Sequence, residues 1–240
     1  MLKLEHVTIQ FGGLTALKDV SFSMGSEQVV GLVGPNGAGK TTLFNAISGL
    51  VKPTAGKVQF DGIELSRKPL YARARVGIGR TFQIPQPMHE LTVRENLIVA
   101  QRFGNGRVDH ARIDQLLEFM DLTAQAGRDA ATGLALQELK RLEVAKALAT
   151  EPKLLLLDEV LAGLETNGKR YFTAKLEELH RKFKIGILII EHDIETVSTL
   201  CDRVVVLNFG QTIADGTPQA VFRDPEVIKS YTGGADVAHA

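Results

Sequence analysis

A chain of 240 residues with 44% hydrophobic content can bury one substantial core, and its 28 basic residues are matched by 28 acidic ones. That balance leaves no overall field to draw the chain to nucleic acid or an anionic bilayer, so any membrane contact is expected through a partner. The single cysteine, Cys201, excludes an internal disulfide framework, has no Cys or His cluster around it, and reads as a small apolar filler in a reducing cytosol.

The chain opens on "KLEHVTIQF" and "LKDVSFSM", whose alternation and turn residues at Gly12-Gly13 and Gly25-Ser26 predict half-buried antiparallel strands, a small β layer. "QVVGLVG" is a short β-branched run that reaches glycine. "KTTLFNAISGL" then has helical spacing at Leu43, Ile47 and Leu50, giving strand, loop, helix. "GKVQFDGIEL" returns to strand alternation around an Asp61-Gly62 hairpin signal. "LTVRENLIVAQRF" and "RIDQLLEFMDL" are helical between loops rich in Gly, Pro and Gln, so residues ~85 to 150 read as a helical insert. Beyond it, "KLLLLDE" and "GILIIEHD" are buried-strand candidates separated by the helical "NGKRYFTAKLEELHRKF", the layout of a βαβ unit with a parallel sheet. "RVVVLNFGQTIADG" predicts a hairpin, "PEVIKSY" a short helix, and "GGADVAHA" a loose tail. No internal repeat is found, and the apolar runs Leu154 to Leu157 and Ile187 to Ile190 fall far short of the ~20 residues that span a bilayer. The expectation is a chain neither exported nor membrane-spanning.

Ligands of open α/β sheets bind outside the carboxyl ends of the strands, which directs attention to Gly34, Asp158, Glu159 and His192. "GPNGAGKTT", the run Gly34, Pro35, Asn36, Gly37, Ala38, Gly39, Lys40, Thr41 and Thr42, fits the G-x-x-x-x-G-K-[ST] phosphate loop. Its small residues let backbone N–H groups curl round a polyphosphate at a helix N-terminus. Lys40 is placed to reach the β and γ phosphates, Thr41 to put its hydroxyl on Mg2+, and Thr42 to bond an α-phosphate oxygen, so ATP and Mg2+ are the expected ligands. In "LLLLDE", Asp158 would hold the metal through its water shell and Glu159 take a proton from the attacking water. Paired acids at a strand end are also plain caps, a reading the neighbouring phosphate loop weakens. His192 could polarise the γ-phosphate or the water, whereas His6, His89, His110 and His180 read as ordinary histidines.

To about residue 233 the chain resembles the nucleotide-binding subunit of an ATP-binding-cassette (ABC) transporter. The resemblance rests on the order of its motifs: Phe11 matches the adenine-stacking aromatic, Gln83 in "RTFQ" the glutamine loop, "AGLE" at Ala162 to Glu165 the D-loop, and His192 the switch histidine. A glutamine amide can ligate Mg2+ or orient water while its loop senses a partner. The resemblance implies an α/β fold: a P-loop NTPase (RecA-like) core with an N-terminal antiparallel β subdomain over residues 1–84 and 151–233, and an inserted helical subdomain over 85–150. It also implies permease subunits, a second cassette ATPase, a periplasmic substrate-binding protein in the full system, and a peripheral place on the cytoplasmic face of the membrane. "ELTVRENLIVAQ", "NFGQTIADGTP" and "DPEVIKSY" resemble the ATPases of branched-chain amino acid importers, while "ARARVGIGR" is shared with the lipopolysaccharide-export branch and related branches handle urea or amides.

The signature, commonly LSGGQ or LSYGQ, reads here as Leu134, Ala135, Leu136, Gln137 and Glu138. Ala135 removes a hydroxyl, Gln137 adds a side chain where backbone must come close, and Glu138 brings charge toward a triphosphate and also suits a helix N-terminus, two readings that are compatible. Val160 stands where proline is usual and Glu165 where Asp or Asn is usual. These departures point to a heterodimer with one degenerate site, a homodimer remaining open. Soluble cassettes of DNA repair or translation typically carry long insertions or two cassettes that this chain lacks. A regulatory subunit that binds ATP without turnover is the other rival.

Overall fold

In the computed structural model, which describes residues 1–232, the elements run in chain order as follows. Strands β1 (Leu2–Phe11), β2 (Leu14–Met24) and β3 (Val29–Val33) come first, then helix α1 (Lys40–Ser48), β4 (Ala55–Phe60) and β5 (Ile63–Glu64). Helix α2 (Leu70–Arg75), β6 (Ile78–Arg80), α3 (Val93–Asn105), α4 (His110–Phe119), a 3-10 turn at Thr123–Gln125 and α5 (Leu136–Ala149) follow. The chain continues through β7 (Leu154–Asp158), α6 (Thr166–Phe183), β8 (Gly186–Ile190), α7 (Ile194–Leu200), β9 (Arg203–Asn208), β10 (Gln211–Gly216), α8 (Pro218–Val221) and α9 (Pro225–Thr232). The sequence-predicted tail lies outside the described residues. Two compact units are formed, one from Met1–Lys68 with the chain from Leu188 onward, the other from Pro69–Ile187, the division falling within β8.

In the first unit β2, β1, β4 and β5 make an antiparallel sheet. Leu2, Leu4, Val7 and Ile9 of β1 and Leu17, Val20, Phe22 and Met24 of β2 are buried. Strict alternation breaks between Leu4 and Val7, where the β1–β2 register shifts. His6 and Asp19 both take positive φ there, 52° and 57°, and His6 Nδ1 meets Asp19 Oδ1 at 2.6 Å. This is how a bulge keeps the apolar residues on one face. Against the same bulge, Gly56 at φ 82° would overlap the His6 carbonyl if it carried a Cβ. The Asp61-Gly62 turn forms as predicted, with φ 50° and 77°, although β5 is only two residues long.

Also in this unit β3 pairs in parallel with β9, Val30 opposite Arg203, and β9 pairs antiparallel with β10. Every residue of β3 is buried, in keeping with its continuous apolar run. Leu43 and Ile47 of α1 are buried as expected, but Leu50 is half exposed, because Gly49 takes a left-handed conformation and ends the helix.

In the second unit β6 and β7 pair in parallel, Arg80 opposite Leu156, and all five residues of β7 are buried. Helix α3 opens on a complete capping box, Thr92 with Glu95, and closes on left-handed Gly106. Asp109 caps α4, and α6 buries Phe172, Leu176 and Leu179 on one side. The short α2, which begins after Pro69, carries too few apolar residues for its period to show in the sequence.

Candidate nucleotide site

The phosphate loop leaves β3 at Val33 and enters α1 at Lys40. Gly34 sits at φ 147°, and a Cβ there would overlap the Leu207 carbonyl of neighbouring β9. Gly39 sits at φ 103°, and a Cβ there would come within 2.7 Å of Leu17 Cδ2 and 2.9 Å of the Ala16 carbonyl. Both positions therefore require glycine. The loop is braced by Gly210, whose N–H donates to the Ala38 carbonyl at 3.0 Å and whose carbonyl accepts from Lys18 N–H at 2.8 Å. Lys40 is buried and curls over the loop, its ammonium 2.7 Å from the Gly34 carbonyl and 3.0 Å from that of Pro35. No side chain caps the start of α1, so its first N–H groups face the loop. Asn36, Gly37 and Thr41 are exposed, and Pro35 and Thr42 partly so. This is a cradle of backbone donors with one cation, and it fits a polyphosphate.

Elsewhere in the first unit Phe11 ends β1 with its ring half exposed, a free aromatic face in place of core packing. His192 is exposed between β8 and α7, and Asp193 caps α7 by accepting from Glu195 N–H at 3.0 Å. The Tyr231 phenol in α9 is raised above its usual range by burial, partly offset by a hydrogen bond from the Gly34 backbone. The last helix thus touches the first residue of the loop, a contact that spans almost the whole sequence.

The second unit holds the acids. Asp158 ends β7 and is almost fully buried; its Oδ2 accepts from Arg80 Nη2 at 3.2 Å, and its N–H donates to Thr81 Oγ1 at 3.1 Å. Burial pulls the Arg80 guanidinium below its ordinary range, and the Asp158 charge opposes that pull. Sequence reasoning passed over Arg80; only its place in register beside β7 reveals it. Glu159 follows at φ 48°, left-handed backbone that a residue with a side chain rarely adopts. Its Oε2 accepts from Gln83 Nε2 at 2.6 Å, so two of the predicted site residues meet. Among the described residues no group of three His, Cys, Asp or Glu side chains could hold a metal alone. Asp158 and Gln83 both carry side-chain oxygens, the donor type that Mg2+ takes.

The signature-matching segment starts α5. Ala135 takes the extended conformation of an N-cap, φ −73° and ψ 162°. Glu138 folds back, Oε2 accepting from Ala135 N–H at 2.8 Å and Oε1 from Gln125 Nε2 at 2.7 Å. One carboxylate oxygen therefore caps the helix start and the other ties it to the preceding 3-10 turn, in keeping with an acid suited to a helix N-terminus. Ala135, Leu136 and Gln137 remain exposed. The D-loop-matching segment and the first turn of α6 lie against Leu136 and Gln137, since a Cβ on Gly163 would be 3.4 Å from Leu136 and one on Gly168 would be 3.0 Å from the Gln137 amide.

A family model described as ABC transporter matches residues 17–162, which include the phosphate loop, Gln83, the signature-matching segment and both acids. The chain belongs to the ABC transporter family. A second model, for the branched-chain amino acid ATP-binding cassette transporter, matches residues 211–237. The high-affinity branched-chain amino acid transport ATP-binding protein BraF of Pseudomonas aeruginosa is 38% identical, covering 98% of each chain. LivG of Escherichia coli, of the same description, is 36% identical over 98% of each. The lipopolysaccharide export system ATP-binding protein LptB of Haemophilus influenzae is 33% identical over 97% of each. A solved nucleotide-free cassette from an ABC transporter superposes with a TM-score of 0.86 at 32% identity, covering 96% of this chain and 98% of its own. An ADP-bound cassette gives 0.86 at 33% identity over 97% and 98%. The chain is thus the ATP-binding and hydrolysing subunit of an ABC transporter, an α/β P-loop cassette. Among the described residues no helix is long and apolar enough to cross a membrane.

Proposed function

We propose that this ABC ATPase energises uptake of branched-chain amino acids, working at the cytoplasmic face of the membrane with permease subunits, a periplasmic substrate-binding protein and a second cassette. The observation that carries the cargo is the agreement between full-length likeness to BraF and LivG and the separate match of residues 211–237 to a branched-chain model. The 33% likeness to LptB supports the export reading less well. Reconstitution with candidate permeases tests it: ATP-dependent accumulation of leucine is expected, and ATP turnover with no accumulation of leucine, isoleucine or valine would sink it.

In the proposed mechanism the backbone of Gly34 to Gly39 and the Lys40 ammonium bind the phosphates, and Phe11 stacks on the base. Thr41, Asp158 and the Gln83 amide oxygen are the residues suited to Mg2+, which when bound neutralises charge on the phosphates. Glu159 accepts a proton from the attacking water, and His192 donates toward the γ-phosphate. The helical subdomain, residues 85–150, carries the segment offered to a neighbouring cassette. Loss of the serine hydroxyl at Ala135 and the glycine at Gln137 supports an asymmetric pair, one site competent and one degenerate. Glu159→Gln is expected to lower hydrolysis by ~10²–10⁴-fold while ATP still binds, as removal of a general base does. Hydrolysis within tenfold of the parent would remove Glu159 from that role.

A further inference from the structure

We infer that Lys140 is a positioning residue for Glu159, an inference that rests on the reading of Glu159 as the base. Lys140 lies in the second turn of α5 and is 4% exposed. A buried ammonium is costly unless it is hydrogen-bonded, so the place where it is directed is informative. Its Nζ donates to the main-chain carbonyl of Glu159 at 3.3 Å. That carbonyl belongs to the residue at φ 48°, so the bond fixes a backbone conformation that a non-glycine residue would otherwise relax. The direction in which the Glu159 carboxylate points follows from that backbone. Through this bond Lys140 reaches the main chain of the base and acts by orientation.

Two further side chains of the same helix act on the same site from the other side. Glu143, buried, accepts from Gln86 N–H at 2.9 Å, and Lys146, paired with Glu143, donates to the Gln86 carbonyl at 2.5 Å. Gln86 is three residues beyond Gln83, whose amide donates to the Glu159 carboxylate. Helix α5 therefore holds the base twice, by its backbone through Lys140 and by its carboxylate through the glutamine loop. Because α5 begins at the signature-matching segment, any rotation of that segment is carried to Glu159 by Lys140.

The test is single-turnover hydrolysis by the transporter assembled with its permeases and second cassette, in excess over ATP, with ATP affinity measured on the same samples. Lys140→Met is expected to slow hydrolysis by ~10- to 100-fold, the scale of a misplacement of about 1 Å, and to leave the Kd for ATP within about threefold. Lys140→Arg, which keeps a cation of similar reach, is expected to restore the rate to within about threefold. A Lys140→Met rate within twofold of the parent overturns the inference, as does parallel loss of ATP binding and turnover. If Lys140→Met does not fold, Lys140→Gln, which keeps a donor on a shorter stem, is expected to slow hydrolysis by about tenfold, and an unchanged rate overturns the inference. Glu159→Gln in the same assay separates the two levels. If it turns over ATP, the assignment of the base fails and this inference falls with it; if it is inactive while Lys140→Met is fully active, only the role of Lys140 falls.

Discussion

Replacing Ala135 by serine gives a hydroxyl to a residue already in the extended N-cap conformation at the head of α5. Glu138 already supplies one half of a capping box, accepting from Ala135 N–H at 2.8 Å. The serine Oγ would supply the other half by accepting from Glu138 N–H, and a cap of this kind is worth ~0.5–2 kcal/mol, typically about 1. Local hydrogen exchange is the assay suited to it, because exchange of first-turn amides reports opening of that helix end without requiring the two units to unfold together. At about 1 kcal/mol the Glu138 amide should exchange roughly fivefold more slowly in Ala135→Ser. Ala135→Gly, which offers no acceptor, should not slow it. Glu138→Ala should accelerate exchange across the first turn, since it removes the acceptor for the Ala135 N–H and the partner of the Gln125 amide together. If Ala135→Ser and Ala135→Gly exchange alike, the Ala135–Glu138 geometry does not describe this helix start. The same serine restores one of the lost signature groups, so its effect on ATPase must be corrected for the added helix stability before it is credited to contact with nucleotide.

Two other outcomes are expected. Gly34→Ala should lose ATP binding with little change in secondary structure by circular dichroism, because the added methyl meets the Leu207 carbonyl and displaces the loop; wild-type affinity would refute the crowding argument. Burial first, then the Asp202 and Glu191 charges, pushes the Cys201 thiol up to about 12, so the folded state favours the protonated form. Its contribution to stability is therefore complete below the unfolded value of about 8.5 and is lost as pH rises from there toward 12. Urea midpoints should fall between pH 8.5 and 10.5 more steeply for the parent than for Cys201→Ala, and parallel slopes would contradict the shift.

What could be read in advance was local in sequence. The phosphate loop lies between a buried β-branched run and an amphipathic helix, and all three signals fall within residues 28 to 50. The acids at 158 and 159 were legible for the same reason, as the end of a continuous apolar strand. The partners of those residues were not. Arg80 reaches Asp158 across 78 positions, and no periodicity links them. Glu138 was ambiguous in sequence because its second acceptor bond depends on Gln125, in a 3-10 turn 13 residues earlier. The bulge at His6 was invisible because it needs Asp19 and Gly56, one on each neighbouring strand.

The parallel pairing of β3 with β9 sets Val30 beside Arg203. On a ribosome adding ~5–20 residues per second, about ten to thirty seconds separate synthesis of the two strands. The segment from Pro69 to Ile187 is contiguous and can collapse during that interval, while the fully buried strand Val29–Val33 has already left the exit tunnel. The nascent chain therefore carries these five apolar residues, at the root of the phosphate loop, through most of translation. A holdase acting on the first third of the chain should raise the yield of soluble protein more than one acting on the completed product.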